Sequence, residues 1–323
     1  MSARIGPRPP GGDLGLEDLR RVRAKPVFIL GLHRSGTTWL YQMIAGALPV
    51  ALLTAHRVVD YDRILTLHRE GSTAAAERKF DDLVQSWHMA TRGIDAVPLS
   101  HAMPEEYGWI LRRTAGAFYV NSRTAPVLDE LCRKLQYLTP SAGAVVLKNP
   151  WDSGYAEDLL AYLPDARFIF LRRDPVAIVN SQFRIAKLHG GRRDPYLDLL
   201  LEGIPLGRAW VRLQRILRRA LGASFYGRMA LRYIFRDVAR ELVRLETSWK
   251  AVPANRRRAL NYADLLSDPD GAIDKVAGFL SLPLLPEPDI VKPRPGDQTL
   301  LPEVADAESS FRMRLDRRGI VQD

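Results

Sequence analysis

The chain has 323 residues, with 46% hydrophobic and 26% charged content, as expected of a soluble globular protein able to bury a sizeable core. No apolar run reaches 18 residues, which excludes a transmembrane helix, and the single Cys132 excludes an intrachain disulfide or a cysteine-cluster metal site. A net charge of +10 suggests anionic partners, but only eight of the 47 basic residues are lysine, so local placement says more than the total.

Residues 1–24 begin "MSARIGPRPPGGDLGLED", which lacks the apolar stretch of a signal peptide and reads as a flexible tail on a cytoplasmic protein. "PVFILG" (26–31) is a short apolar run ending in glycine, the mark of a buried strand, and "TTWLYQMIAGAL" behind it carries apolar residues at helical spacing. Further buried strands are predicted at "AVVLK" (144–148) and "ARFIFLR" (166–172), and a fourth, short strand at "RALNY" (258–262). Asp174-Pro175 supplies an N-cap and a first-turn proline for a helix through "VAIVNSQFRIAK", and "ADLLSDPDGAIDKVAGFLSL" gives a turn and a helix after the last strand. Alternating strands and helices predict an α/β domain over 25–323, a parallel sheet with helices on both faces. Ligands of such sheets bind at the carboxyl ends of strands, where Gly31, Lys148, Arg173 and Tyr262 all fall.

From about 190 to 250 the pattern becomes helical. "LGRAWVRLQRILRRALG" and "YGRMALRYIFRDVARELVRLETSWK" read as two amphipathic helices, with arginines at 208, 212, 215 and 219, then at 228, 232, 236, 240 and 244. This insertion is expected to form a lid over the acceptor site. Its arginines are either a solvated face or a basic surface touching anionic lipid or an acidic acceptor. Its aromatics (Trp210, Phe225, Tyr226, Tyr233, Phe235, Trp249) suggest a large or partly apolar acceptor. The tail from Pro283 is proline-rich, then charged, and is expected to wrap the surface.

The chemistry concentrates in "GLHRSGTTWL" (31–40). Gly31 to Gly36, with Thr38 behind, has the frame of a phosphate loop, yet Thr37 stands where a nucleoside-triphosphate loop places lysine, and Arg34 lies inside the loop. Consecutive N–H groups and the positive end of the next helix make an anion cradle. Without the lysine, that cradle suits one 5′-phosphate better than a magnesium-bound triphosphate. Arg173, at a strand mouth, and Ser181, eight residues on, can converge on a second phosphate; the competing reading is Arg173 paired with Asp174. No His/Asp/Glu cluster has metal-ligand spacing.

Together these segments resemble the 3′-phosphoadenosine 5′-phosphosulfate (PAPS)-dependent sulfotransferases. "RSGTTWL" is similar to the family's 5′-phosphosulfate loop, "FIFLRRDPVAIVNS" to its 3′-phosphate segment, "VLKNP" to the segment before it, and "YADLLSDPDGAIDKVAGFLSLP" to its tyrosine-containing box and following helix. The resemblance spans roughly residues 26 to 282. It implies that Arg34, Ser35, Gly36, Thr37 and Thr38 cradle the 5′-phosphosulfate, that Arg173 and Ser181 hold the 3′-phosphate, and that Trp39 and Tyr262 contact adenine. It further implies metal-free sulfuryl transfer to a hydroxyl or, second, an amine of a small-molecule, glycan or lipid-like acceptor rather than a nucleic acid. Arg34 and Lys148 are the candidates to stabilise the charge that develops. The base departs from the family pattern, because Pro150 occupies the position where cytosolic members carry histidine. His56 is the first candidate, followed by Glu105 or Glu106 of "HAMPEEYGWIL", then Asp62 and Asp152. Two alternatives stay open: a kinase-like enzyme with an atypical loop, and a non-catalytic nucleotide- or membrane-binding relative.

Overall fold

The run Pro26–Leu30 is buried at every position and forms β1, the central strand of the molecule. In this computed structural model the described residues are 13, 16–92, 97–189, 194–204, 222–292 and 299–320, with isolated positions at 207, 209, 213 and 216. After β1 come α1 (Thr37–Ala47), β2 (Val50–Leu52), α2 (Ala55–Val59), α3 (Ile64–Arg69), α4 (Thr73–Gln85), α5 (Gly108–Ala115) and α6 (Ala125–Leu138). Next are β3 (Ala144–Lys148), α7 (Ala156–Tyr162), β4 (Arg167–Arg172), α8 (Pro175–His189), α9 (Pro195–Leu200) and α10 (Ala223–Ala251). The chain finishes with β5 (Arg257–Asn261), α11 (Tyr262–Ser267), α12 (Pro269–Leu280), α13 (Pro302–Ala305) and α14 (Glu308–Asp316).

The five strands make one sheet in the order β2-β3-β1-β4-β5, and every pairing is parallel. Successive side chains of a strand point to opposite faces, so β1 divides its residues between two cores. Phe28 and Leu30 join the larger one, with residues of α5–α8 and α10, whereas Val27 and Ile29 pack with α1 and α12. Burial on both faces is why β1, β3 and β4 read as continuous apolar runs rather than alternating ones, whereas the edge strand β5 is largely exposed.

The helical region differs from the expected lid. Most of its first predicted helix lies outside the described residues, while α10 is a 29-residue structural helix. Its stripe of Leu231, Ile234, Phe235, Val238, Leu242, Leu245 and Trp249 is buried in the larger core. Phe235 lies against Phe311 and Trp249 against Phe170, so these two aromatics serve packing rather than an acceptor. Described residues near both ends are also docked. Asp13 is buried and accepts hydrogen bonds from the Leu65 and Thr66 amides, and Val304, Phe311 and Leu315 of the C-terminal helices enter the core instead of wrapping the surface. Among the described residues no helix is long and apolar enough to cross a membrane.

Candidate active site

The loop between β1 and α1 turns sharply because Arg34 (φ 73°) and Gly36 (φ 96°) adopt left-handed backbone conformations. That conformation costs a non-glycine residue on the order of 1 kcal/mol, so neighbours must hold it. The Arg173 guanidinium donates to the Arg34 carbonyl at 2.7 Å, and the Ser35 amide donates to the Leu32 carbonyl at 3.0 Å. Ser153 clamps the start of the loop, donating to the Gly31 carbonyl at 2.7 Å and accepting from its amide at 3.1 Å. At Gly36 a Cβ would lie 2.5 Å from the Tyr262 ring, so glycine is required by space as well as by backbone. The first-turn amides of α1 lack helical acceptors by geometry and remain available to an anion.

Three neighbouring strands deliver side chains to this loop. Lys148 ends β3, is 3% exposed, and donates to Thr38 Oγ1 at 2.7 Å and to Glu106 Oε1 at 2.8 Å. Arg173 follows β4 and stacks over the Tyr262 ring, 4.3 Å from its centroid. Its expected competitor Asp174 is used elsewhere: it caps α8 by accepting from the Ala177 amide at 2.8 Å, and it pairs with Arg312 at 2.9 Å. Arg34 Nε donates to Ser181 Oγ at 3.1 Å. Tyr262 follows β5, and its ring meets Trp39 edge-on at 6.1 Å, while the Trp39 indole donates to the Val291 carbonyl at 2.7 Å. The residues expected from sequence at two separate anion sites therefore form one connected patch along the carboxyl ends of β3, β1, β4 and β5.

A family model described as "Sulfotransferase family" matches residues 26–233, more than half of the chain. The chain belongs to the sulfotransferase family. Among solved structures, sulfotransferase STF1 from Mycobacterium tuberculosis H37Rv is similar with a TM-score of 0.58 and 19% identity, covering 94% of this chain and 78% of that one. Sulfotransferase STF9 from Mycobacterium avium is similar with a TM-score of 0.54 and 19% identity, covering 93% of this chain and 70% of that one. No curated protein matched. At this identity the two structures speak to the fold, a five-stranded parallel α/β sheet around a phosphate-type loop.

The residues weighed as this sulfotransferase's base fall in different places. His56 is buried on α2, with Nε2 3.1 Å from Asp60 Oδ2 and its ring edge-on to Phe80, and none of the described contacts ties it to the loop. Asp62 sits in the short turn Tyr61–Arg63 beside that pair. Asp152 is fully buried, accepting from the Val120 amide at 2.6 Å and from Asn149 at 2.8 Å, and burial pushes its carboxyl up to about 6. Glu105 is clamped by Arg92 at 3.1 Å and by the Tyr196 hydroxyl at 2.6 Å. Glu106 alone among these candidates touches Lys148.

Two residues beside the loop were not anticipated. His33, inside the loop and solvent-exposed, lies edge-on to Trp151 at 5.0 Å. Trp151 stacks on Phe118 at 4.4 Å and meets Trp109 at 5.4 Å, forming a half-buried aromatic wall that continues from His33. The "HRSG" spelling contained the signal for His33. Trp151 had no comparable signal, because its neighbours come from distant segments.

Proposed function

We propose that this sulfotransferase transfers the sulfuryl group of PAPS to a hydroxyl of a small-molecule acceptor and releases adenosine 3′,5′-bisphosphate. The observation that carries this reading is that Lys148 contacts Thr38 while Arg173 and Ser181 both contact Arg34 of the same loop, which supports two cationic groups serving one nucleotide. The residues fit such a ligand. Ser35 Oγ is buried beside the loop without a protein hydrogen-bond partner, a donor that a phosphate oxygen would satisfy. Thr37 is also buried and offers its amide, whereas Thr38 offers its hydroxyl. Arg173 and Ser181 would take the 3′-phosphate, and Tyr262 and Trp39 would flank the adenine.

During transfer the acceptor oxygen bonds to sulfur while the bond from sulfur to the bridging oxygen breaks, so negative charge builds on the leaving phosphate. Arg34 and Lys148 lie where fixed positive charge opposes that build-up, and such preorganised groups are worth roughly 3–4 kcal/mol each in a water-poor site. Calorimetry tests the reading: adenosine 3′,5′-bisphosphate should bind far more tightly than Mg-ATP. The reverse preference would return the kinase-like alternative, and tight binding without transfer from labelled PAPS to any acceptor would favour the non-catalytic one.

A peripheral contact with anionic membrane rests on the outer face of α10. There Phe225, Met229 and Tyr233 are 48%, 51% and 65% exposed, and Arg228, Arg232 and Arg236 are exposed between them. Exposed apolar side chains at intervals of one turn, interleaved with arginine, suit a lipid headgroup layer. Co-sedimentation with phosphatidylserine vesicles but not phosphatidylcholine vesicles is the expected result.

A further inference from the structure

We infer that Glu106 is the general base that removes the acceptor's proton, with Glu105 as the residue that positions it. The inference rests on the sulfuryl-transfer reading above and supplies the residue that neither Pro150 nor His56 provides. Glu106 Oε1 lies 2.8 Å from Lys148 Nζ, which in turn lies 2.7 Å from Thr38 Oγ1, so the carboxylate stands across a single cation from the phosphate loop. Its side chain is 12% exposed, whereas that of Glu105 is fully buried. The pair divides the work by orientation. Arg92 and Tyr196 fix the Glu105 carboxylate, and that carboxylate accepts the Glu106 backbone amide at 2.8 Å, pinning the turn that aims Glu106 at Lys148.

Charge around the site favours an ionised base. Burial alone would raise the Glu106 pKa, but Lys148, His33 and Arg92 outweigh it and hold the carboxyl below its ordinary range. From α10, Asp237 faces His33 as well. A carboxylate is therefore available to accept a proton without prior deprotonation. In the step itself the acceptor O–H proton passes to a Glu106 carboxylate oxygen as the acceptor oxygen bonds to sulfur. The electron pair of the breaking bond stays on the leaving phosphate, opposite Lys148 and Arg34. As Lys148 turns its charge toward that oxygen, Glu106 loses its counter-ion and becomes a stronger base at the moment the proton moves.

Glu106→Gln keeps the shape and removes the basicity. Release of labelled sulfate from PAPS, with water as the acceptor, should fall by about a hundredfold or more, the range for loss of a general base. Adenosine 3′,5′-bisphosphate affinity should stay within about threefold of wild type. With phenolic acceptors, the loss should be large for 2-naphthol, which is un-ionised at neutral pH, and small for 4-nitrophenol, which ionises without help. Glu106→Asp should give an intermediate rate. An unchanged rate in Glu106→Gln, an equal loss for both phenols, or a matching loss of bisphosphate affinity overturns the assignment. Wild-type protein that fails to bind bisphosphate would instead refute the sulfuryl-transfer reading itself, so the two failures are distinguishable.

Discussion

Replacing Arg173 with alanine probes the proposed 3′-phosphate site directly. In the structure its guanidinium stacks over Tyr262 at 4.3 Å and donates to the Arg34 carbonyl at 2.7 Å. Removing a charged hydrogen bond to phosphate costs roughly 1.5–3 kcal/mol, which is about 12- to 150-fold in affinity. The same substitution also frees the Arg34 carbonyl, so a loss of binding by itself could come from a relaxed loop. Titrating adenosine 3′,5′-bisphosphate and adenosine 5′-monophosphate side by side in a calorimeter separates the two causes. The bisphosphate should lose the full factor and the monophosphate should lose little, because only the former presents a 3′-phosphate. Equal losses for both ligands would mean that Arg173 only braces the loop, and an unchanged bisphosphate affinity would refute the assignment outright.

Lys148→Met should lower turnover by about a hundredfold or more while binding of bisphosphate survives, and it should lower the melting temperature because Glu106 is left without its cation. Gly36→Ala combines a φ of 96° with a Cβ 2.5 Å from the Tyr262 ring, so bisphosphate binding should vanish while the circular dichroism spectrum stays native. His56→Asn should cost thermal stability through its buried contact with Asp60 but leave turnover of the folded fraction within about threefold. Asp152, raised from 3.8 to about 6 by burial, binds its proton more tightly when folded; the stability this confers is complete below about pH 4 and is lost as pH rises through about 6. The change amounts to about 3 kcal/mol. The urea midpoint of wild type relative to Asp152→Asn should therefore decline between pH 4 and 7, and a flat difference would show that Asp152 titrates normally.

Much of the candidate site's layout was legible in the sequence because it is built from contiguous segments. The loop from Gly31 to Thr38 and the pair Arg173 and Ser181 each lie on one strand-loop-helix unit, and parallel pairing brings the mouths of those units together. The strands at 26–30, 144–148 and 167–172 were readable as runs buried on both faces. β2 was not, since Val50–Leu52 is three residues long and its "VAL" is indistinguishable from the end of a helix. The proposed base was hidden for a different reason. "PEE" gives two adjacent carboxylates with identical local chemistry, and only Arg92 and Tyr196, from segments 13 and 91 residues away, distinguish the anchored Glu105 from the one facing Lys148. Phe235 and Trp249 failed for a related reason: an aromatic on an amphipathic helix is spelled the same whether its face meets a substrate or a core.

The missing loop lysine illustrates how a site can keep a charge while changing its source. Thr37, at the usual lysine position, is 3% exposed and packs toward Gly31, so a long cation at that position would have to leave the loop's inner face. The cation comes instead from the neighbouring strand, where Lys148 Nζ stands 2.7 Å from Thr38 Oγ1. A lysine within the loop follows the loop wherever it goes, whereas Lys148 is fixed to the sheet by β3 and balanced by Glu106. That placement gives the cation one neighbour on the donor side and one that can meet the acceptor. Group transfer between two bound molecules needs both, because charge must leave the acceptor oxygen and arrive at the departing phosphate in the same step.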